Sequence, residues 1–265
     1  MVMRVTWFAP LFMVLALTGS CATAVLAETI PALLAAAKAA RDDGNGVLAV
    51  RNYHAAAEAG SVEAQALLAD IYREGGDGVD KDYAKALFWA RKAADQGSTR
   101  ARVTLGVMYR DGLGVAPDAP KALADFQAAS DAGDRKAPRY LGLAFEATGD
   151  GAKAFAAYQS GADRGDITSQ YLLGRAYEFG IGVEQSYVLA RTWYQKSAAR
   201  GDEIASDGMV GLASLYERGL GVQRDLPKAL VMYRQAAATG NETARAAMTR
   251  LSCRTASNPC KNGPE

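Results

Sequence analysis

The sequence is poor in the residues that usually carry chemistry. Among 265 residues there is one histidine, His54, with three cysteines and eight prolines. A Ser-His-Asp arrangement needs a nucleophile, a base and an orienting acid within reach of one another. No G-x-S-x-G frames a serine here, and S-x-x-K is absent. That leaves neither of these serine chemistries a motif. One histidine with cysteines at 21, 253 and 260 offers no zinc spacing. No Gly-Lys-Ser/Thr follows any glycine-rich string, so a P-loop is excluded. The chain is accordingly expected to be no enzyme, with no cofactor and no metal. Lysine plus arginine total 30 against 29 acids. Without a charge excess or a basic run, nucleic acid is not an expected partner. Scarce proline beside abundant alanine favours helices.

The N-terminus carries a signal of its own. One positive charge, Arg4, precedes an apolar run from Val5 to about Leu17, and small residues lead to Val25-Leu26-Ala27 before Glu28. This is the pattern of a secretory signal peptide over residues 1–27. The apolar run is short for a membrane span, with an uncleaved anchor as the other reading. Thr18-Gly19-Ser20-Cys21 resembles a lipoprotein processing box, but Leu17 stands one place too early. A lipid anchor at Cys21 is therefore a lesser alternative to cleavage after Ala27. Cleavage there removes Arg4 and no acid, leaving a neutral chain. It also leaves two cysteines, Cys253 and Cys260, in a polar tail. An even pair in an oxidising compartment suggests a disulfide, against free thiols as the alternative.

What the chain has in abundance is repetition. YERGLGV at Tyr216–Val222 returns as YRDGLGV at Tyr109–Val115, as YEFGIGV at Tyr177–Val183 and, one residue longer, as YREGGDGV at Tyr72–Val79. A string that recurs along the chain is architecture before it is a ligand loop. The aromatic anchors are Tyr72, Tyr109, Phe145, Tyr177 and Tyr216. Four places before each stands Leu68, Leu105, Leu141, Leu173 or Leu212, and three places before stands Ala69, Gly106, Gly142, Gly174 or Ala213. That spacing marks one face of an α-helix. After the glycines comes a second helical pattern with an aromatic at Trp89, Phe126, Tyr158, Trp193-Tyr194 or Tyr233. It closes on Gly97, Gly133, Gly165, Gly201 or Gly240, where glycine suits a helix C-cap.

Each unit therefore reads helix, turn, helix, turn. The expected organisation is a degenerate N-terminal repeat or cap at 28–60, then repeats at 61–97, 98–133, 134–165, 166–201 and 202–240. A capping helix and tail occupy 241–265. The earliest helices are expected at Pro31–Arg41 and Val47–Ala59, and the last at Glu242–Leu251. The third repeat is short and lacks G-x-G-V, and the fifth has extra residues near Glu203–Asp207.

These residues resemble the Sel-one-like repeat family, α/α solenoids related to tetratricopeptide repeats. The shared motif is A-x-x-x-L-G-x-x-Y-x-x-G-x-G-V followed by K-A-x-x-W-Y-x-K-A-A-x-x-G. The best copy contains SQYLLGRAYEFGIGVEQSYVLARTWYQKSAARG, ending at Gly201. The resemblance implies an all-α, right-handed α/α solenoid of about five repeats with degenerate caps. It also implies a partner-binding role, as adaptors or as exported bacterial regulators. The expectation is thus a periplasmic or secreted scaffold for a protein partner in the cell envelope, such as a signalling or assembly protein. The alternative is a peptidoglycan or carbohydrate binder, with a hydrolase a distant third. Stacked helix pairs leave a long face for a partner segment. The positions that vary between repeats give the candidate partner-binding residues Gln65, Asp70, Arg102, Gln170 and Arg175.

Overall fold

A computed structural model describes residues 18–76 and 78–255, with side chains over 29–76 and 78–251. Among the described residues there are thirteen α-helices and one 3-10 turn, and no strand beyond a single bridge between Gly76 and Val79. The signal peptide, lipidation at Cys21 and the Cys253–Cys260 disulfide rest on residues or side chains outside the described ones.

The helices are α1 Thr18–Asp42, α2 Gly46–Glu58, α3 Val62–Glu74, α4 Tyr83–Asp95, α5 Thr99–Asp111, α6 Ala119–Asp131 and α7 Ala137–Ala147. They continue with α8 Gly151–Asp163, α9 Ile167–Phe179, α10 Tyr187–Ala198, α11 Ser206–Arg218, α12 Leu226–Ala238 and α13 Glu242–Thr255. Helix α1 starts well before the expected Pro31 and carries that proline in its interior. The extra residues of the fifth repeat form the 3-10 turn Glu203–Ala205, N-capped by Asp202.

The chain divides within α5 into two compact units, Met1–Thr104 and Leu105–Glu265. In the first unit α1 packs on α2, α2 on α3 and α3 on α4. In the second, each helix from α6 to α13 packs on the next. This consecutive helix-pair packing makes the chain an α/α solenoid.

The repeated residues build the core. Leu68 in the first unit is fully buried, and Leu105, Leu141, Leu173 and Leu212 in the second are nearly so. The small residue beside each leucine makes room for the ring of the paired helix. A methyl on Gly174 would meet Tyr194 Cδ1 at 2.6 Å, and one on Gly142 would meet Tyr158 Cε1 at 2.3 Å. Helix starts are equally regular. Asp82, Asp118, Asp150 and Asp225 each accept from the backbone N–H three residues on, that of Lys85, Lys121, Lys153 or Lys228. Such N-caps contribute about 1 kcal/mol each. The lysine ammonium then lies over the anchor ring, 5.2 Å from Tyr72 for Lys85 and 4.2 Å from Tyr216 for Lys228. Asp82 is held below the usual aspartate range, chiefly by the Lys85 backbone N–H, and Asp118 and Asp150 chiefly by their lysine ammonium groups. In the fourth repeat Ser186 and Leu189 replace the pair, and Val188 and Leu189 are left exposed.

The G-x-G turns act as turns. Gly180 caps α9 in the left-handed conformation, with φ 71°. The second glycine has a further task. Gly182 lies against the start of α8, where a methyl would fall 2.0 Å from the Gly151 carbonyl oxygen. Gly221 lies similarly against Tyr187 at the start of α10, and in the first unit Gly78 lies against Val47. The second glycine therefore joins consecutive repeats as well as reversing the chain.

Candidate docking surface

The candidate residues fall into different environments. Gln65 is no surface residue: it is fully buried, its side-chain N–H donates to the Ala57 carbonyl at 3.0 Å, and its oxygen accepts from Gln96 at 2.7 Å. It satisfies the C-terminal end of α2 and is unavailable to a partner. Variation at this position between repeats reflects local packing. Asp70 is half-buried and accepts from Arg100 Nε at 2.6 Å and Thr104 Oγ1 at 2.7 Å. It ties α3 to the start of α5. Arg175 pairs with Glu146 across neighbouring repeats. Arg102 and Gln170 are partly exposed. Gln65, Asp70 and Arg102 lie in the first unit, Gln170 and Arg175 in the second.

Arg175 belongs to a series that runs through the second unit. Glu146, Glu178 and Glu217 each follow the anchor aromatic directly. Each takes a hydroxyl from the ring of its own repeat: Tyr158 to Glu146 at 2.7 Å, Tyr194 to Glu178 at 2.7 Å and Tyr233 to Glu217 at 3.0 Å. Each also pairs with an arginine of the following helix pair. Arg175 serves Glu146, Arg218 lies 3.1 Å from Glu178, and Arg250 of α13 grips both oxygens of Glu217. Burial, reinforced by the hydrogen-bonded glutamate, pushes all three tyrosines well above their usual value. The series is structural. It spends on inter-repeat contact charges that the sequence alone would leave for a partner. Its signal is the recurrent aromatic-Glu pair, which gives way to Tyr72-Arg73 and Tyr109-Arg110 in the first two repeats.

His54 is half-buried and hydrogen-bonds through Nε2 to Tyr72 Oη at 2.7 Å, with its ring edge-on to Trp89. Burial pushes its pKa down, the Glu58 carboxylate opposes this and Lys85 adds to it. No nucleophile joins it, and no cluster of metal-ligating side chains occurs among the described residues.

An open surface lies in the first unit. A cavity of about 570 Å³ separates α1 from α3, with Leu34, Leu67 and the largely buried Tyr53 among its lining and Lys38, Arg41 and Glu63 also contributing. A smaller cavity of about 180 Å³ shares Arg41 and Leu67 with it and continues past Asp70, Ile71 and Glu74 to Arg100. Apolar residues on α1 and α3 thus form a floor between charged rims. The second unit has its own cavity of about 510 Å³, with an uncharged lining that includes Met209, Leu212, Met232, Gln195 and Gln235. Of the aromatic rings, Trp89, Tyr158, Tyr194 and Tyr233 are buried in the core, whereas Phe88 and Phe179 are exposed.

Helix pairs, anchor spacing and G-x-G turns together define a repeat scaffold. Residues 41–61, 62–98, 101–134, 167–202 and 206–241 match the Sel1 repeat. With more than half of its length matched, the chain belongs to the Sel1 repeat family, a family of non-catalytic repeat scaffolds typically engaged in protein–protein interaction. Residues 135–166 fall between matches, yet α7 and α8 pair there like the rest.

A comparison with curated proteins found no match. Among solved structures, a protective antigen of uropathogenic Escherichia coli displaying an SLR fold is 31% identical over 89% of this chain, with a TM-score of 0.65. This chain spans about half of that protein, 52% of its length. A Sel1 repeat protein from Oxalobacter formigenes is 29% identical, covering 81% of this chain and 88% of its own, with a TM-score of 0.69. An immunity protein from Pseudomonas aeruginosa shares the fold at 23% identity, covering 82% of this chain and 84% of its own, with a TM-score of 0.57.

Proposed function

We propose that this chain is an exported, non-catalytic scaffold that binds a protein partner in the bacterial cell envelope. The partner class is a signalling or assembly protein. The observation that carries this reading is the open groove of the first unit. Most repeated residues are consumed in holding helices together, whereas Leu34, Leu67 and Ile71 line a groove with charged rims that no other described element fills. Interfaces use this combination of apolar core and polar rim. Export rests on the signal-peptide pattern of residues 1–27. No described helix is long and apolar enough to cross a membrane.

Site-directed photocrosslinking in cells tests the reading. With a photoreactive residue at Leu67, and others across both units, the expected product is a discrete protein adduct. Adducts of murein fragments alone, or turnover of a substrate by the pure protein, would overturn it. Export is tested by the mass of the mature N-terminus. A start at Glu28 supports cleavage after Ala27, and an acylated Cys21 replaces that cleavage with lipidation.

A further inference from the structure

The second helix of every repeat opens on a capping side chain. It is Asp82, Asp118, Asp150 or Asp225 in four repeats and Ser186 in the fourth, but α2 opens on Asn45. Asparagine and aspartate cap a helix about equally well. Capping therefore does not require the Asn45 amide. The residue after the cap also differs. Tyr83, Ala119, Tyr187 and Leu226 follow four of the other caps, whereas Gly46 follows Asn45. Gly151 follows Asp150, but hydrogen bonds from the Lys153 side chain and backbone hold that carboxyl below the usual aspartate range. An ionised carboxylate is a poor target for a nucleophile. Asn45–Gly46 alone among these caps sets an amide carbon beside a backbone nitrogen that no side chain shields.

That pairing permits a covalent change. The Gly46 nitrogen attacks Asn45 Cγ, the bond from Cγ to the side-chain nitrogen breaks, and ammonia leaves with the proton that Gly46 gives up. Water then opens the five-membered imide. Opening at Cγ leaves aspartate, and opening at the main-chain carbonyl leaves isoaspartate, with the backbone routed through the side chain. No oxidant or cofactor is needed. Water has access, since Asn45 is exposed and borders with Gly46 an open cavity of about 400 Å³. The Gly46 N–H, first in α2, has no carbonyl of its own helix to bond. The fold nevertheless withholds the reaction. With ψ 72° at Asn45, the Gly46 nitrogen lies across the Cα–C bond from Cβ, whereas the ring closes only with both on the same side. Turning that bond is resisted on one side by the Asn45 N–H, which donates to the Ala40 carbonyl at 2.8 Å. On the other it is resisted by the Leu48 N–H, which donates to Asn45 Oδ1 at 3.1 Å, and by the packing of α2 on α1 and α3.

We propose that Asn45–Gly46 is a deamidation site gated by the docking of α2. While α2 is seated the amide persists; when α2 lifts from α1 the imide forms. The aspartate product restores the cap that four other repeats carry. The isoaspartate product lengthens the main chain between the Ala40 bond and the Leu48 cap, so α2 cannot return in register. It also displaces Val47, on which Gly78 rests. Conversion is thus a lasting record of opening at the N-terminal helix pair.

The test incubates the full chain and a synthetic peptide of residues 41–50 at mildly alkaline pH. Peptide mapping by mass spectrometry follows Asn45 separately from Asn262, which also precedes a glycine. The peptide and the urea-unfolded chain should convert at similar rates to a mixture of aspartate and isoaspartate. The folded chain should convert roughly tenfold or more slowly, and its rate should rise with urea in step with hydrogen exchange of α2. Asn45→Asp should keep α2 protected from exchange, and the isoaspartate fraction should lose that protection. The proposal is overturned if the folded chain converts as fast as the peptide, or if the unfolded chain keeps its amide. An isoaspartate form with α2 as protected as before would overturn it as well.

Discussion

Arg250 of α13 holds Glu217 of α11 through two parallel hydrogen bonds, 2.6 Å and 2.7 Å long. The carboxylate is nearly buried and the guanidinium half-exposed. This bond fastens the last helix to the array, beside the apolar contacts of Ala244, Ala247 and Leu251. Paired planar groups of this kind are among the stronger protein hydrogen bonds. Arg250→Ala should lower stability by about 1–3 kcal/mol, because Glu217 loses its counter-charge while remaining buried. Denaturant unfolding would show the loss, and hydrogen exchange would show α13 opening before α9. An exchange pattern unchanged in α13 would contradict the fastening role.

The three tyrosines of the series set an alkaline limit. Each phenol is protonated in the fold and raised above its usual value, whereas the unfolded chain ionises near pH ~10. Above that pH the unfolded state binds fewer protons than the native one, so stability falls as pH rises. Below it the contribution is fully present. The slope should approach ~1.4 kcal/mol per pH unit for each tyrosine. Urea titrations at several pH values above and below 10 would show the fall, and Tyr194→Phe should flatten it.

Gly182→Ala should be among the costlier single-methyl changes in the chain. The residue has φ 66°, and the added methyl would strike the Gly151 backbone rather than a side chain that can turn aside. Backbone strain and overlap together should cost about 2–4 kcal/mol. Gly165→Ala shares a positive φ but meets open space, and so isolates the strain alone. Thermal unfolding of the two variants should separate them clearly.

Gln65→Ala should destabilise the first unit without touching a partner surface. It leaves the Ala57 carbonyl without its side-chain donor and removes the link to Gln96. A cost of about 1–3 kcal/mol is expected from the buried group alone. Circular dichroism during urea unfolding would measure it. Undiminished stability together with weakened partner capture would instead return Gln65 to the docking surface.

The repeat is legible in the sequence because packing demands the same atoms at the same spacing each time. Leucine four places before the anchor and a small residue beside it can be read without coordinates, and Leu173 and Gly174 sit as that reading requires. The docking surface is much less legible. Variable positions on a helix face look alike whether they meet a partner, a neighbouring repeat or the core. Gln65 varies because its amide finds a backbone carbonyl, and Arg175 because Glu146 is opposite. The inter-repeat use of Gly182 depends on a distance between segments that local pattern does not encode.

Where Gly182 rests on Gly151, Gly221 on Tyr187 and Gly78 on Val47, a repeat supplies half of a joint with its predecessor. Units of this array are therefore not interchangeable cassettes. A graft or deletion that cuts at helix boundaries splits the joint and parts the glycine from the helix start it rests on. Cutting so that the turn travels with the helix it rests upon keeps each seam whole. Duplication during evolution would face the same geometry, which favours copying segments that span two neighbours over copying one.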